Sequence, residues 1–163
     1  MAIATFDVTS QAFENGASIP ERHAWRGEGR NISPPLAWSD PPEHAVEHVL
    51  IVDDPDAPRA EPWVHWVVYG IPATVTALPE GLPVGAETLE AVHGARQGAN
   101  SWGELGWGGP FPPEGHGVHH YRFRLYALDR QLELPAGATK ADVLRAMEGH
   151  VLARGELVGT YER

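Results

Sequence analysis

Residues 52–66, VDDPDAPRAEPWVHW, bring carboxylates and a histidine together at a spacing that could do chemistry. Asp53, Asp54 and Asp56 follow an apolar run and lie beside prolines. Proline fixes φ and aspartate accepts hydrogen bonds from nearby backbone N–H groups, so a strand-ending turn explains the acids. It does not explain His65, which stands between bulky apolar residues. A buried histidine gains a chemical role only where another polar group converges on it.

A second candidate segment, GWGGPFPPEGHGVHHYRF at 106–123, is rich in both glycine and proline. Glycine permits close backbone approach and proline stiffens the same loop, which suits the rim of a pocket. His119 and Tyr121 are two positions apart, so a strand would point both to one face and His120 to the other. His116 is predicted to be solvated in the loop.

Several reaction classes lack their sequence signatures. His65, His116 and His119 with an aspartate match no common spaced zinc motif, and HExxH is absent, so we predict no metal. Ser101 lies in ANSWG and not in a GxSxG elbow, and the chain has no cysteine. Neither a Walker A nor a dinucleotide fingerprint is present, and no cofactor is predicted. The remaining His, Asp and Tyr set, without a nucleophile, suits hydrogen bonding of a polar ligand.

Length and charge narrow the class of protein further. The chain has 163 residues, which predicts one domain over 1–163. Its net charge of −10 argues against a nucleic-acid partner and against adhesion to an anionic membrane surface. The N-terminus lacks a basic stretch followed by an apolar core, and no apolar run is long enough to span a bilayer. A cytoplasmic protein without integral membrane association is therefore expected.

Short apolar and alternating runs dominate the element prediction. Strands are predicted at Ala2–Thr9, His48–Val52, Trp63–Ile71, His120–Leu128 and Glu156–Tyr161, a proline-set turn at 31–40, loops at 71–86 and 98–117, and a helical turn at 87–95. Strict alternation would place Trp63, His65 and Val67 on one face. One helix is predicted late in the chain, capped by Thr139, with an apolar face at Leu144, Met147 and Val151. Many strands and one late helix predict an antiparallel, mainly β domain.

Several motifs together resemble one known family, the phosphatidylethanolamine-binding proteins, and within it the bacterial and archaeal branch called Raf-kinase-inhibitor-like. The segments that carry the resemblance are SPPLAW at 33–38, DPDAP at 54–58, WVHW at 63–66, GANSWGELGWGG at 98–109, GGPFPPEGHGVHHYRFRLYAL at 108–128 and LARGELVGTYER at 152–163.

The resemblance implies a central antiparallel sheet with a smaller second sheet and a few peripheral helices. It also implies a small anion-binding pocket near the surface, in which His65 faces Asp54 and His119. Carried over by motif, the ligand-binding residues are Asp54, Asp56, Pro58, Trp63, His65, Gly109, Pro113, His119 and Tyr121. The chain stops at Arg163, where animal members continue, which implies a more open pocket.

We therefore expect a non-enzymatic binding protein for phosphate-like or carboxylate-like groups, from a phospholipid head group or a phosphorylated ligand. A regulatory inhibitor that binds a kinase or protease through its surface is the alternative, and weak acid–base catalysis by His65 or His119 is a third interpretation. A homodimer is expected through an exposed loop around Trp102 and Trp107. Protonated His65 and His119 should tighten phosphate binding at about pH 6 relative to about pH 8.

Overall fold

Strands account for most of the regular structure in the computed structural model, which describes residues 4–163. The strands are β1 (Ala4–Thr5), β2 (Val8–Thr9), β3 (Leu36–Trp38), β4 (Glu47–Asp54), β5 (Trp63–Pro72), β6 (Ala77–Leu78), β7 (Thr88–Leu89), β8 (Ala95–Gln97), β9 (His119–Leu128) and β10 (Val151–Tyr161). One α-helix, α1 (Lys140–Met147), and two 3-10 turns, Glu21–His23 and Glu90–Val92, complete the elements. The predicted mainly β class is confirmed.

The strands form two sheets of unequal size. The larger sheet has seven strands in the order β1-β10-β9-β4-β5-β8-β7, and the smaller has three in the order β2-β3-β6. All neighbours in the larger sheet are antiparallel except β1 and β10, which run parallel. The expected central antiparallel sheet with a smaller second sheet is thus confirmed, with one parallel edge pair.

The large sheet buries apolar side chains on both faces, because its long central strands carry apolar residues in nearly every position. On one face Leu50, Val52 and Phe123 belong to the same cluster as Leu36 and Leu78 of the small sheet. The opposite face is partly covered by α1. Its cluster contains Val49, Ile51, Val67, Tyr69, Val143 and Met147.

Helix α1 begins as its sequence predicts. The Thr139 hydroxyl accepts from the backbone N–H of Asp142, and the Asp142 carboxylate accepts from the backbone N–H of Thr139, each at 3.2 Å. Of the predicted apolar face, Met147 is buried as expected, but α1 ends there and Val151 opens strand β10. Leu144 is 39% exposed, and Val143 takes its place in the core.

Other boundaries also differ from the prediction. The single edge strand expected at Ala2–Thr9 is two short strands, because β1 pairs with β10 and β2 with β3; residues 2 and 3 lie outside the described part. The helical turn predicted at 87–95 is a 3-10 turn at Glu90–Val92, which lies between the paired strands β7 and β8. Strand β6 interrupts the loop predicted at 71–86. No helix within residues 4–163 is long and apolar enough to cross a membrane.

Candidate ligand-binding pocket

A pocket of about 200 Å³ opens where the end of β4, the start of β5 and the start of β9 meet. Its lining residues are Asp54, Ala57, Pro58, Arg59, Trp63, His65, Trp102, Phe111, Pro112, Pro113, His119 and Tyr121. The antiparallel pairing of β4 with both β5 and β9 brings these ends together, so residues of the turn and of the glycine-proline loop both line the pocket.

Asp54 and His119 form the polar centre of the pocket. His119 Nδ1 lies 2.6 Å from Asp54 Oδ2, and the two residues are 1% and 3% exposed. The other carboxylate oxygen of Asp54 accepts from the backbone N–H of Asp56 at 2.8 Å. His119 Nε2 lies 2.6 Å from Nδ1 of the exposed His116. A chain of hydrogen bonds therefore runs from a buried carboxylate to the surface.

A β-bulge directs His65 into the same pocket. Val52 pairs with Trp66 and Asp53 pairs with Val64, which leaves His65 as the extra residue of β5. As a result His65 and Trp66 both contact the ring of Trp107, although they are adjacent in sequence. The prediction that side chains alternate strictly between the two faces of β5 is therefore wrong.

Val67 lies on a different face of β5 from the one predicted. It belongs to the cluster beneath α1, whereas Trp66 belongs to the cluster on the opposite face. Because a bulge reverses the alternation that follows it, Val67 does not share a face with His65.

His65 is held as a neutral ring. Its Nδ1 meets the carbonyl oxygen of Gly108 at 2.6 Å. Burial lowers the pKa of His65 to about 4, an effect that this carbonyl and the Asp54 carboxylate oppose only in part. The expectation that a protonated His65 supplies a proton near neutral pH is therefore wrong.

Aromatic rings surround His65. Trp102 and Tyr121 each meet its ring edge-on, with centroids 5.2 and 5.0 Å away. Trp102 stacks on Trp25 at 4.1 Å and contacts Trp63 at 5.4 Å. The pocket thus combines apolar walls with a few polar groups, a pattern common to small-molecule sites.

Tyr121 and Arg59 are two hydrogen-bond donors of the pocket. The Tyr121 side chain is buried, and burial together with the Asp54 carboxylate raises its pKa above the usual range, so the hydroxyl keeps its proton. The Arg59 guanidinium lies over the ring of Trp63, 4.5 Å from its centroid. Neither Arg59 nor Trp102 was among the predicted site residues. Only the position of Arg59 beside the DPDAP turn could have indicated it.

Asp56 and Gly109 lie outside the pocket lining, unlike the other predicted residues. Asp56 turns to the surface, where it accepts from the backbone N–H and from Nδ1 of His120, both at 2.8 Å. Burial alone would raise the pKa of Asp56, but these bonds lower it below its usual range. Asp56 thus positions the turn through its own N–H, and of the two aspartates only Asp54 lines the pocket.

Gly109 supports the loop because no side chain fits there. A Cβ at this position would lie 2.0 Å from the carbonyl oxygen of His23. Its N–H donates to Asn31 Oδ1 at 2.7 Å, and Asn31 Nδ2 donates to the carbonyl of Trp107 at 3.0 Å. Asn31 therefore anchors the loop that presents Gly108 to His65. No sequence signal indicates this role, because Asn31 is 78 positions from Gly109.

The buried state of Trp107 corrects the expectation of an exposed tryptophan loop. Trp107 is 1% exposed and donates from Nε1 to the carbonyl of His23 at 3.0 Å. Of the two tryptophans proposed for a dimer interface, only Trp102 is partly exposed.

Among residues 4–163, no three His, Asp or Glu side chains are grouped so as to hold a metal ion.

The protein-family model described as phosphatidylethanolamine-binding protein matches residues 9–162 of the chain. The chain belongs to the phosphatidylethanolamine-binding protein family. A UPF0098 protein from Methanothermobacter thermautotrophicus is 48% identical over 157 residues, which cover 96% of this chain and 99% of that relative. The expected family is confirmed.

Solved members of the phosphatidylethanolamine-binding protein family share the fold. Escherichia coli YbcL, described as a member of the mammalian PEBP family, has a TM-score of 0.88 and 36% identity, covering 98% of this chain and 99% of that one. A PEBP homologue from Chlamydia trachomatis has a TM-score of 0.85 and 42% identity, covering 98% of both chains.

Proposed function

We propose that the chain is a non-enzymatic binding protein whose pocket receives the phosphate-like or carboxylate-like group of a small ligand. A phospholipid head group and a soluble phosphorylated ligand both carry such a group. The Tyr121 hydroxyl carries this proposal, because it lines the pocket and forms no hydrogen bond within residues 4–163. The Tyr121 hydroxyl can therefore donate to an acceptor that comes from outside the chain.

The charge of the site is consistent with a monoanion. Arg59 supplies a positive charge at the rim. The negative charge of Asp54 is partly offset by the hydrogen bonds from His119 and from the backbone of Asp56. Together these groups favour an anion of low charge over one that brings two charges beside Asp54.

The hydrogen bonds of the Asp54–His119 pair and of Ser101 are consistent with binding without catalysis. The Asp54–His119 pair resembles part of a hydrolytic triad, but His119 Nε2 faces His116 and not a hydroxyl. The Ser101 hydroxyl accepts from the backbone N–H of Val64 at 2.8 Å, so it is committed to the fold.

Calorimetric titration with inorganic phosphate and with acetate tests the proposal. We expect saturable binding to the parent protein, and about a tenfold or greater loss in Tyr121→Phe or Arg59→Ala, because each removes one hydrogen bond to a charged group. His120→Ala is the matched control, since His120 is exposed and bonds to Asp56 outside the pocket. Absent binding, or equal binding by the pocket variants, would contradict the proposed function.

A protein-binding inhibitor of a kinase or protease is the second candidate. The exposed apolar side chains of Phe111 and Val118, which lie in and just after the loop that forms the pocket rim, favour it. Inhibition assays against a panel of kinases and serine proteases test this role. Val118→Glu should abolish any inhibition, whereas Val46→Glu, at the opposite end of β4, should not.

A further inference from the structure

The hydrogen-bond partner of His65 decides which ring nitrogen carries a proton. Nδ1 lies 2.6 Å from the carbonyl oxygen of Gly108, and a carbonyl oxygen can only accept. Nδ1 must therefore donate. Burial keeps the ring neutral, so Nε2 holds a lone pair. No donor within residues 4–163 bonds to Nε2, and His65 lines the pocket. The pocket thus offers an unfilled acceptor.

The neighbours of His65 add a second acceptor and two donors. The titratable and charged groups around it are Asp54 at the end of β4, His119 and Tyr121 on β9, and Arg59 in the turn between β4 and β5. The Asp54 carboxylate accepts hydrogen bonds. Tyr121 and Arg59 donate. A complementary ligand must therefore supply at least one proton as well as acceptor oxygens.

We propose that the pocket selects a monoanion that still carries a proton: dihydrogen phosphate or the monoanion of a phosphomonoester. Its P–OH group donates to His65 Nε2, and its unprotonated oxygens accept from the Tyr121 hydroxyl and the Arg59 guanidinium. The inference rests on the proposed anion-binding function and narrows it to one ligand class.

Two related anions lack the proton that this arrangement requires. Sulfate has no proton at neutral pH, and a phosphodiester, the linkage found in phospholipid head groups, has no P–OH. Each would place an oxygen lone pair against that of His65 Nε2 and leave this pocket-facing nitrogen without a donor. Sites built to bond a ligand hydroxyl reject analogues without it strongly. We therefore expect a soluble monoester to bind in preference to a lipid head group.

Titration calorimetry with methyl phosphate, dimethyl phosphate and sulfate tests the selection. The second pKa of a phosphomonoester is about 6. At about pH 5.5 methyl phosphate should bind at least about tenfold more tightly than the other two anions. Its affinity should fall about tenfold or more by about pH 7.5, as the monoanion is lost, while that of dimethyl phosphate and sulfate stays level.

Two variants test whether His65 is responsible for the preference among anions. In His65→Gln the side-chain amide can turn its NH₂ group toward the pocket, so the preference for methyl phosphate over sulfate should shrink severalfold. In Tyr121→Phe all three anions should weaken while that preference is kept, because Tyr121 donates to each of them.

The outcomes separate this inference from the proposed function. Equal affinities of the three anions for the parent protein would overturn the selection and leave anion binding intact. Binding of none of them would overturn both. The comparison in the parent protein decides the matter even where His65→Gln does not fold.

Discussion

Asp54 and His119 are 65 positions apart in the chain, yet their side chains share a hydrogen bond of 2.6 Å and are almost wholly buried. This contact joins the end of β4 to the start of β9 beside the pocket. Because burying a charged group is costly unless it is paired, removing one partner leaves the other in an unfavourable state.

We expect His119→Ala to lower the free energy of unfolding by about 3–5 kcal/mol, since it strands the Asp54 carboxylate in the interior. Urea denaturation monitored by tryptophan fluorescence measures the change. His120→Ala breaks the exposed pair with Asp56 and should cost less than about 1 kcal/mol. Similar costs for the two variants would contradict a structural role for the Asp54–His119 bond.

Acid stability should depend on two buried histidines, His48 and His65. Burial lowers the pKa of both His48 and His65 to about 4 from an ordinary value near 6.5. The unfolded chain therefore binds more protons than the folded chain between these values. Stability is fully present above about pH 6.5 and is lost as the pH falls toward about 4.

His48 provides the cleaner test, because it lies far from the pocket between Phe6 and Trp38. Neither of its ring nitrogens forms a hydrogen bond within residues 4–163, although the Pro72 carbonyl partly offsets the effect of burial. His48→Leu should therefore flatten the loss of thermal stability between about pH 6.5 and about pH 4.5. An unchanged pH profile in this variant would assign the acid sensitivity to other groups.

Gly109→Ala should destabilise the loop, since its Cβ would lie 2.0 Å from the carbonyl oxygen of His23. A forced backbone shift of this kind costs about 1–3 kcal/mol, and it should also weaken anion binding by displacing Gly108 from His65. Gly85→Ala is the control, because its Cβ would meet no atom within 4 Å and only its positive φ of 88° is unfavourable. Thermal unfolding and calorimetry on both variants compare the two effects.

A homodimer through the face around Trp102 remains a prediction. We expect light scattering to give a dimer mass that Val118→Glu converts to a monomer mass, because Val118 is 48% exposed and precedes His119, which lines the same pocket as Trp102. Val46→Glu, at a position 41% exposed at the other end of β4, should leave the mass unchanged. A monomer mass at high concentration would exclude this interface.

Local patterns in the sequence predicted much of the fold and singled out Asp54, His65, His119 and Tyr121 as candidate site residues. The alternation of Tyr121, Phe123 and Leu125 identified β9, and the prolines around Asp56 marked the end of β4. Such signals are readable because strand periodicity and turn chemistry depend on neighbouring residues. The resemblance of the motifs then added Pro58, Trp63 and Pro113, all of which line the pocket.

Only the tertiary structure decided how these residues act. The bulge that directs His65 into the pocket depends on its pairing with β4, and its proton position depends on Gly108, which is 43 positions away. Asn31 holds the pocket loop across 78 positions, and Asp56 turns away toward His120. Hydrogen bonds and burial between distant segments set tautomers and pKa values, and one-dimensional periodicity contains no information on such contacts.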